Sequence, residues 1–118
     1  MPGHVNLAIM LVEQGDYDGA IDAARTALRL DPNNPEAHYQ LGFALGAKNN
    51  LDGAITELRE AVRLRPADAH AHYFLGFALE EKGDLRAALE QYGLARQLEP
   101  GHTKFREAFE RLSRKMNR

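Results

Sequence analysis

Three histidines, His4, His38 and His72, stand 34 residues apart, and imidazole is the side chain best suited to ligate a metal or move a proton near neutral pH. A shared zinc ion would need each nitrogen within about 2.1 Å. Packed helices lie about 8–10 Å apart, and equivalent helices of successive repeats lie no closer, so the three rings are expected to be packing residues rather than ligands. His70 faces a different way from His72, two places on, and is the better histidine for a binding surface. The remaining chemistry is sparse. The chain has no cysteine, and therefore no thiolate ligand, disulfide or cysteine nucleophile. Its one serine, Ser113, lies near the C-terminus, and no Gly-rich phosphate loop, His-Glu-x-x-His pair or calcium loop is present. No catalytic residue, metal site or cofactor is expected.

The interval between the histidines governs the whole sequence. HYQLGFAL at residues 38–45 returns as HYFLGFAL at residues 72–79, and HVNLAIML at 4–11 keeps the same histidine and leucine places. Punctuation keeps step as well. Asp31-Pro32 recurs as Arg65-Pro66 and Glu99-Pro100, while Gly15-Asp16-Tyr17 recurs as Asn49-Asn50-Leu51 and Gly83-Asp84-Leu85. A turn near the middle and a proline near the end divide each unit into two segments of helical length. Asn34 before Pro35, and Asp68, are expected to cap the first helices; Asp16, Asn50 and Asp84 are expected to cap the second. Alanines at matched places, Ala20 and Ala27, Ala54 and Ala61, Ala88 and Ala95, predict close helix packing.

This pattern resembles the tetratricopeptide repeat, a helix–turn–helix unit, over three consecutive copies covering residues 1–102. The second copy carries Leu41, Gly42, Leu45, Ala54, Leu58, Ala61 and Pro66 in the signature places; the third carries Leu75, Gly76, Leu79, Ala88, Tyr92, Ala95 and Pro100. The first copy departs mildly, with Ala8 for the glycine and Ala24 for the bulky residue, and histidine stands where the family commonly has tryptophan. The resemblance implies an all-α, right-handed superhelical α-solenoid: repeats at 1–34, 35–68 and 69–102, a C-terminal capping helix at 103–118, all in one domain.

Composition agrees with that class, at 44% apolar and 27% charged residues. A pI near 6.2 and an acidic repeat body argue against nucleic acid. No stretch approaches the roughly 20 apolar residues of a membrane span, and no signal peptide is evident, so a cytoplasmic location is the default expectation.

On a helical wheel, His38, Leu41, Gly42 and Leu45 gather on the side facing the partner helix. Tyr39 and Phe43 point elsewhere, and the stripe recurs as Tyr73 and Phe77, with Val5 and Ile9 in the first copy. First helices line the concave wall of such a stack. The stripe therefore predicts a groove floored by these six residues, with Glu13, Glu80 and Glu81 on one rim, suited to a peptide or partner helix with an apolar face and basic flanks. Some tetratricopeptide domains hold a terminal carboxylate with a clamp of Lys, Arg and Asn. Its places fall here on Val5, Ile9, Gln40, His70 and Phe74, so the resemblance implies an apolar partner surface in place of a clamp.

Both ends of the chain offer an alternative. Residues 103–118 read as a helix that leaves the repeat pattern, with Phe105, Phe109, Leu112 and Met116 on one side and Arg111, Arg114, Lys115 and Arg118 as a basic tail; the segment has net charge +4 against −6 for residues 1–102. It is expected to cap the stack, or to dock into another copy's groove. VNLAIMLV, residues 5–12, is apolar except at Asn6, so either a neighbouring segment of a longer protein or another chain is expected to cover it. The leading expectation is a non-catalytic interaction scaffold; the alternatives are a self-assembly module using its terminal helices, or a regulatory domain of a larger enzyme.

Overall fold

The turn between the two helices of a unit needs a backbone that most side chains resist. Residues 15, 49 and 83 all adopt positive φ, at +80° for Gly15, +67° for Asn49 and +93° for Gly83. Glycine and asparagine are the residues that reach this left-handed region at least cost. The next residue then caps the following helix: Asp16, Asn50 and Asp84 each accept from the backbone N–H three residues on, at 3.0, 3.0 and 3.3 Å.

The computed structural model describes residues 3–117; Met1, Pro2 and Arg118 lie outside the described residues. It holds α1 (His4–Glu13), α2 (Tyr17–Leu30), α3 (Pro35–Ala47), α4 (Leu51–Leu64), α5 (Ala69–Lys82), α6 (Leu85–Leu98) and α7 (Thr103–Met116). No strand occurs among the described residues. Asn34 and Asp68 cap α3 and α5 through Ala37 and Ala71 N–H, with Pro35 at the first helical place.

The chain forms two compact units, residues 1–65 and 66–118. In the first, α1 packs on α2, α2 on α3 and α3 on α4. The alanines Ala20, Ala24, Ala27, Ala54 and Ala61 are buried, and Leu58 of α4 fills the space beside Gly42 of α3. In the second, α5 packs on α6 and α6 on α7. Tyr92 of α6 lies beside Gly76 of α5, and Phe105 of α7 is buried with Ala69 and Ala95.

One expectation, that all three histidines are packing residues, needs correction, while the terminal helix keeps the spacing of the repeat: Thr103–Met116 begins 34 residues after Ala69–Lys82. Its buried side is Phe105, Ala108 and Leu112, with Phe109 and Met116 only partly covered. The histidines also differ from one another. His4 is exposed, whereas His38 and His72 are buried and hydrogen-bonded at both ring nitrogens. The Nε2 of each meets the carbonyl of the preceding proline, Pro32 or Pro66, at 2.8 Å; Nδ1 meets Glu57 Oε1 at 2.8 Å or Gln91 Oε1 at 2.7 Å. These rings tie a first helix to its second helix and to the turn before it.

Candidate functional site

The aromatic stripe arises because the helix already has a buried side. Once His38, Leu41, Gly42 and Leu45 are committed to α4, Tyr39 and Phe43 must leave α3 in another direction, and both are half-buried. Their rings stack at 6.4 Å, and Phe43 also lies 6.5 Å from Tyr17 at the start of α2. Val5 and Ile9 are partly covered on α1, which packs against α3. Gln40 does not face a groove. It is 6% exposed, and its Nε2 donates to Glu36 Oε1 at 2.9 Å.

In the second unit the same stripe opens into a cleft of about 730 Å³ between α5 and α7. Tyr73 and Phe77 form its apolar floor, and Phe77 is 48% exposed, which is unusual for so large an apolar ring. Tyr73 is anchored by ring contacts to Tyr92 at 5.7 Å and Phe105 at 5.1 Å. The rim carries Glu80, Glu81, Glu107 and Glu110 against Lys104, Arg111 and Arg114. His70 and Phe74 line a separate cavity of about 530 Å³ with His102 and Thr103. The structure thus gathers Tyr73, Phe77 and Glu80, and sets His70 and Phe74 beside them around Tyr73.

Glu80 is not a free rim charge. It accepts two bonds from Arg111, Nη1 to Oε2 and Nη2 to Oε1, both at 2.7 Å, and a third from the Tyr92 hydroxyl at 2.8 Å. The Arg111 guanidinium holds the Glu80 carboxyl below the ordinary carboxylate range, against the opposing effect of burial, and Glu80 in turn holds Arg111 more firmly protonated. Burial, reinforced by the Glu80 carboxylate, pushes the Tyr92 phenol upward. The exposed carboxylates of the rim are Glu81, Glu107 and Glu110.

Sequence reasoning missed the part played by α7, which supplies Lys104, Glu107, Arg111 and Arg114 to the cleft. The signal was the 34-residue step itself, which sets Thr103 against Ala69. For a metal, no group of three or more candidate ligands occurs among the described residues. No helix there is long and apolar enough to cross a membrane.

A family model described as TPR repeat matches residues 10–49 and again residues 47–83. Among solved structures, the first TPR of Spaghetti (RPAP3), bound to the HSP90 peptide SRMEEVD, is 23% identical with a TM-score of 0.92 over 98% of this chain and 91% of its own. The Yersinia enterocolitica type III secretion chaperone SycD, in complex with a peptide of the translocator YopD, is 20% identical with a TM-score of 0.87 over 96% of this chain and 92% of its own. An O-GlcNAc transferase from Thermobaculum terrenum is 28% identical with a TM-score of 0.87 over 92% of this chain but only 21% of the transferase. No curated protein matches the sequence. The likenesses to Spaghetti and SycD show a shared all-α helical-repeat fold.

Proposed function

Because this chain belongs to the tetratricopeptide repeat family, we propose that it is a non-catalytic scaffold that holds a peptide or partner helix against the aromatic surface of its first helices. The observation that carries this reading is Phe77, half in water at the floor of the α5–α7 cleft. A large rigid ring offers contact area at little entropic cost, and exposed apolar area bordered by polar groups marks interaction surfaces. The partner's contacting face is apolar. Four carboxylates against three cations on the rim give it a mild preference for basic flanks.

An acidic peptide such as SRMEEVD, bound to Spaghetti's TPR, is not the expected ligand, since the resemblance puts Val5, Ile9, Gln40, His70 and Phe74 at the places of the family's carboxylate clamp. Likeness to one fifth of an O-GlcNAc transferase favours a second reading, in which the same surface recruits substrates to a larger enzyme. Fluorescence anisotropy with labelled apolar peptides, carrying or lacking flanking lysines, tests the proposal beside SRMEEVD. The lysine-flanked apolar peptides are expected to bind best, and Phe77→Ala is expected to weaken them roughly tenfold with no loss of melting temperature. Preferential binding of SRMEEVD, or a Phe77→Ala variant that binds as well as the parent, overturns it.

A further inference from the structure

The Glu80 carboxylate is fixed in the α5–α7 cleft independently of the cation that fills it. Its Oε1 accepts from the hydroxyl of Tyr92 at 2.8 Å, and Tyr92 is wholly buried. The Glu80 side chain is itself only 14% exposed, so the acid is held from inside the unit. Arg111 reaches it from the opposite wall. Its side chain is 52% exposed, and its two terminal nitrogens donate to the two carboxylate oxygens at 2.7 Å each. This is the paired-fork geometry in which a guanidinium recognises a carboxylate. The cleft already holds one bound cation, and that cation shows what chemistry the place accepts.

Arg111 is replaceable there. The helix that carries it stays docked without it, through Phe105, Ala108 and Leu112, all buried. Glu107 stands four places before it on α7 and lines the same cleft, at the spacing where glutamate and arginine pair on a helix, so a displaced Arg111 has a second carboxylate to meet. Holding a long exposed side chain in one geometry also costs rotamer entropy, which leaves such ion pairs weak. A guanidinium from outside brings what Arg111 does not: an apolar neighbour to cover Phe77, which lies one turn before Glu80 on α5 and is 48% exposed.

We propose that Glu80 is an arginine-selective subsite and Arg111 its internal competitor, displaced when a partner presents an arginine one helical turn from the apolar side chain that covers Phe77. The proposal rests on the reading of the cleft as a peptide-binding surface, and adds to it one recognising residue, one cation and a resting state in which the subsite is blocked by its own chain. Arginine is favoured over lysine, because only the planar guanidinium spans both carboxylate oxygens at once. The exchange conserves charge. One guanidinium replaces another at Glu80, and Arg111 moves to Glu107.

Fluorescence anisotropy with three labelled, Ala-rich helical peptides tests it. They differ at one place, three residues from a leucine, which holds arginine, lysine or citrulline, the neutral isostere of arginine. The parent should prefer arginine to citrulline only about twofold, since each gain at Glu80 is offset by the loss of Arg111. Arg111→Ala should raise that preference to about tenfold or more by tightening the arginine peptide, with lysine in between; were Arg111 only a wall of the cleft, the change would loosen all three peptides alike. Glu80→Gln, which keeps an oxygen for the Tyr92 hydroxyl, should erase the preference with or without Arg111. An arginine-to-citrulline ratio unmoved by Arg111→Ala, or one that survives Glu80→Gln, overturns the inference and leaves peptide binding standing. Failure of every peptide to bind the parent and the variants overturns the underlying reading as well.

Discussion

The two units place different side chains against the same glycine. In the first, a Cβ built on Gly42 would stand 2.7 Å from Leu58 Cγ; in the second, one on Gly76 would stand 2.8 Å from the Tyr92 ring. Leu58 and Tyr92 are both essentially inaccessible, so each fills its space. Leucine ends there. Tyrosine continues through its hydroxyl to Glu80, and Glu80 continues to Arg111 on the next helix. The place matched to Glu80 in the first unit is Gly46, where a Cβ would meet only Ala54 Cβ at 3.6 Å. The contact with glycine is what these two pairs of helices share. What lies beyond it decides whether a repeat merely packs or also ties down its successor.

The most damaging way to break this comparison is to fill the glycine. Gly42→Leu and Gly76→Leu each force a branched side chain into occupied space, and each should cost about 3 kcal/mol or more by overpacking. Each place also has a backbone atom at 3.2 Å, Leu58 N or Ala88 O, so the greater cost expected at Gly76 rests on the planar ring, which is pinned at its hydroxyl and has less room to turn than Leu58. Gly46→Ala is the control. Its Cβ meets ordinary van der Waals contact, so the helix-propensity gain, up to about 1 kcal/mol, should appear as added stability. Urea denaturation of the three variants orders them, and a Gly76→Leu variant as stable as the parent would show that the ring does not close the space.

Removing only the polar tip sharpens the comparison. Tyr92→Phe leaves the ring beside Gly76 and deletes the bond to Glu80, at an expected cost of about 1–2 kcal/mol. The pH profile carries the sharper signature. Tyr92's phenol is raised in the folded state, so its contribution is fully present below about pH 10, the ordinary value, and is lost as pH rises beyond it. Glu80's carboxyl is lowered, so its contribution is present above the ordinary carboxylate range near pH 4 and is lost as pH falls through its folded value. Thermal melts across pH should show Tyr92→Phe flattening the alkaline fall while Glu80→Gln flattens the acid one. An alkaline fall unchanged in Tyr92→Phe would place the sensitive group elsewhere.

How much of this could be read from sequence follows from the range of each interaction. Turns at Gly15, Asn49 and Gly83 and caps at Asp16, Asn50 and Asp84 are set within a few residues, and a 34-residue recurrence repeats each signal three times. The buried side of α3 was legible for the same reason, since helical geometry fixes which places share a face. Geometry of that kind gives a direction and says nothing of what covers it. Gln40 therefore passed for a groove residue although it is buried, and the exposure of Phe77 became visible only with α7 in place. The Tyr92–Glu80–Arg111 tie spans separations of 12 and 31 residues across three helices, and its members read as a packing residue, a rim charge and a basic tail. The cleft inherits that blind spot, because one of its two walls is the helix whose sequence had drifted furthest from the repeat.

The finest difference between the units lies at the buried histidines, where Glu57 in one faces the place of Gln91 in the other. Both rings give Nε2–H to a proline carbonyl, so a ring with a single proton leaves Nδ1 as an acceptor. The Gln91 amide can turn its NH2 toward that nitrogen, the choice of amide orientation being open at this geometry. A Glu57 carboxylate accepts only, and completes its bond when His38 carries both protons. If the hydrogen bond is what the fold requires, Glu57→Gln should change stability by less than about 0.5 kcal/mol, because the amide keeps a hydrogen-bonding group at the same place. Glu57→Leu should cost about 1–3 kcal/mol by leaving a buried ring nitrogen unsatisfied. Chemical denaturation of both variants separates the cases: equal losses would mean that charge holds His38, and that the two units fasten their first helices by different physics despite a shared geometry.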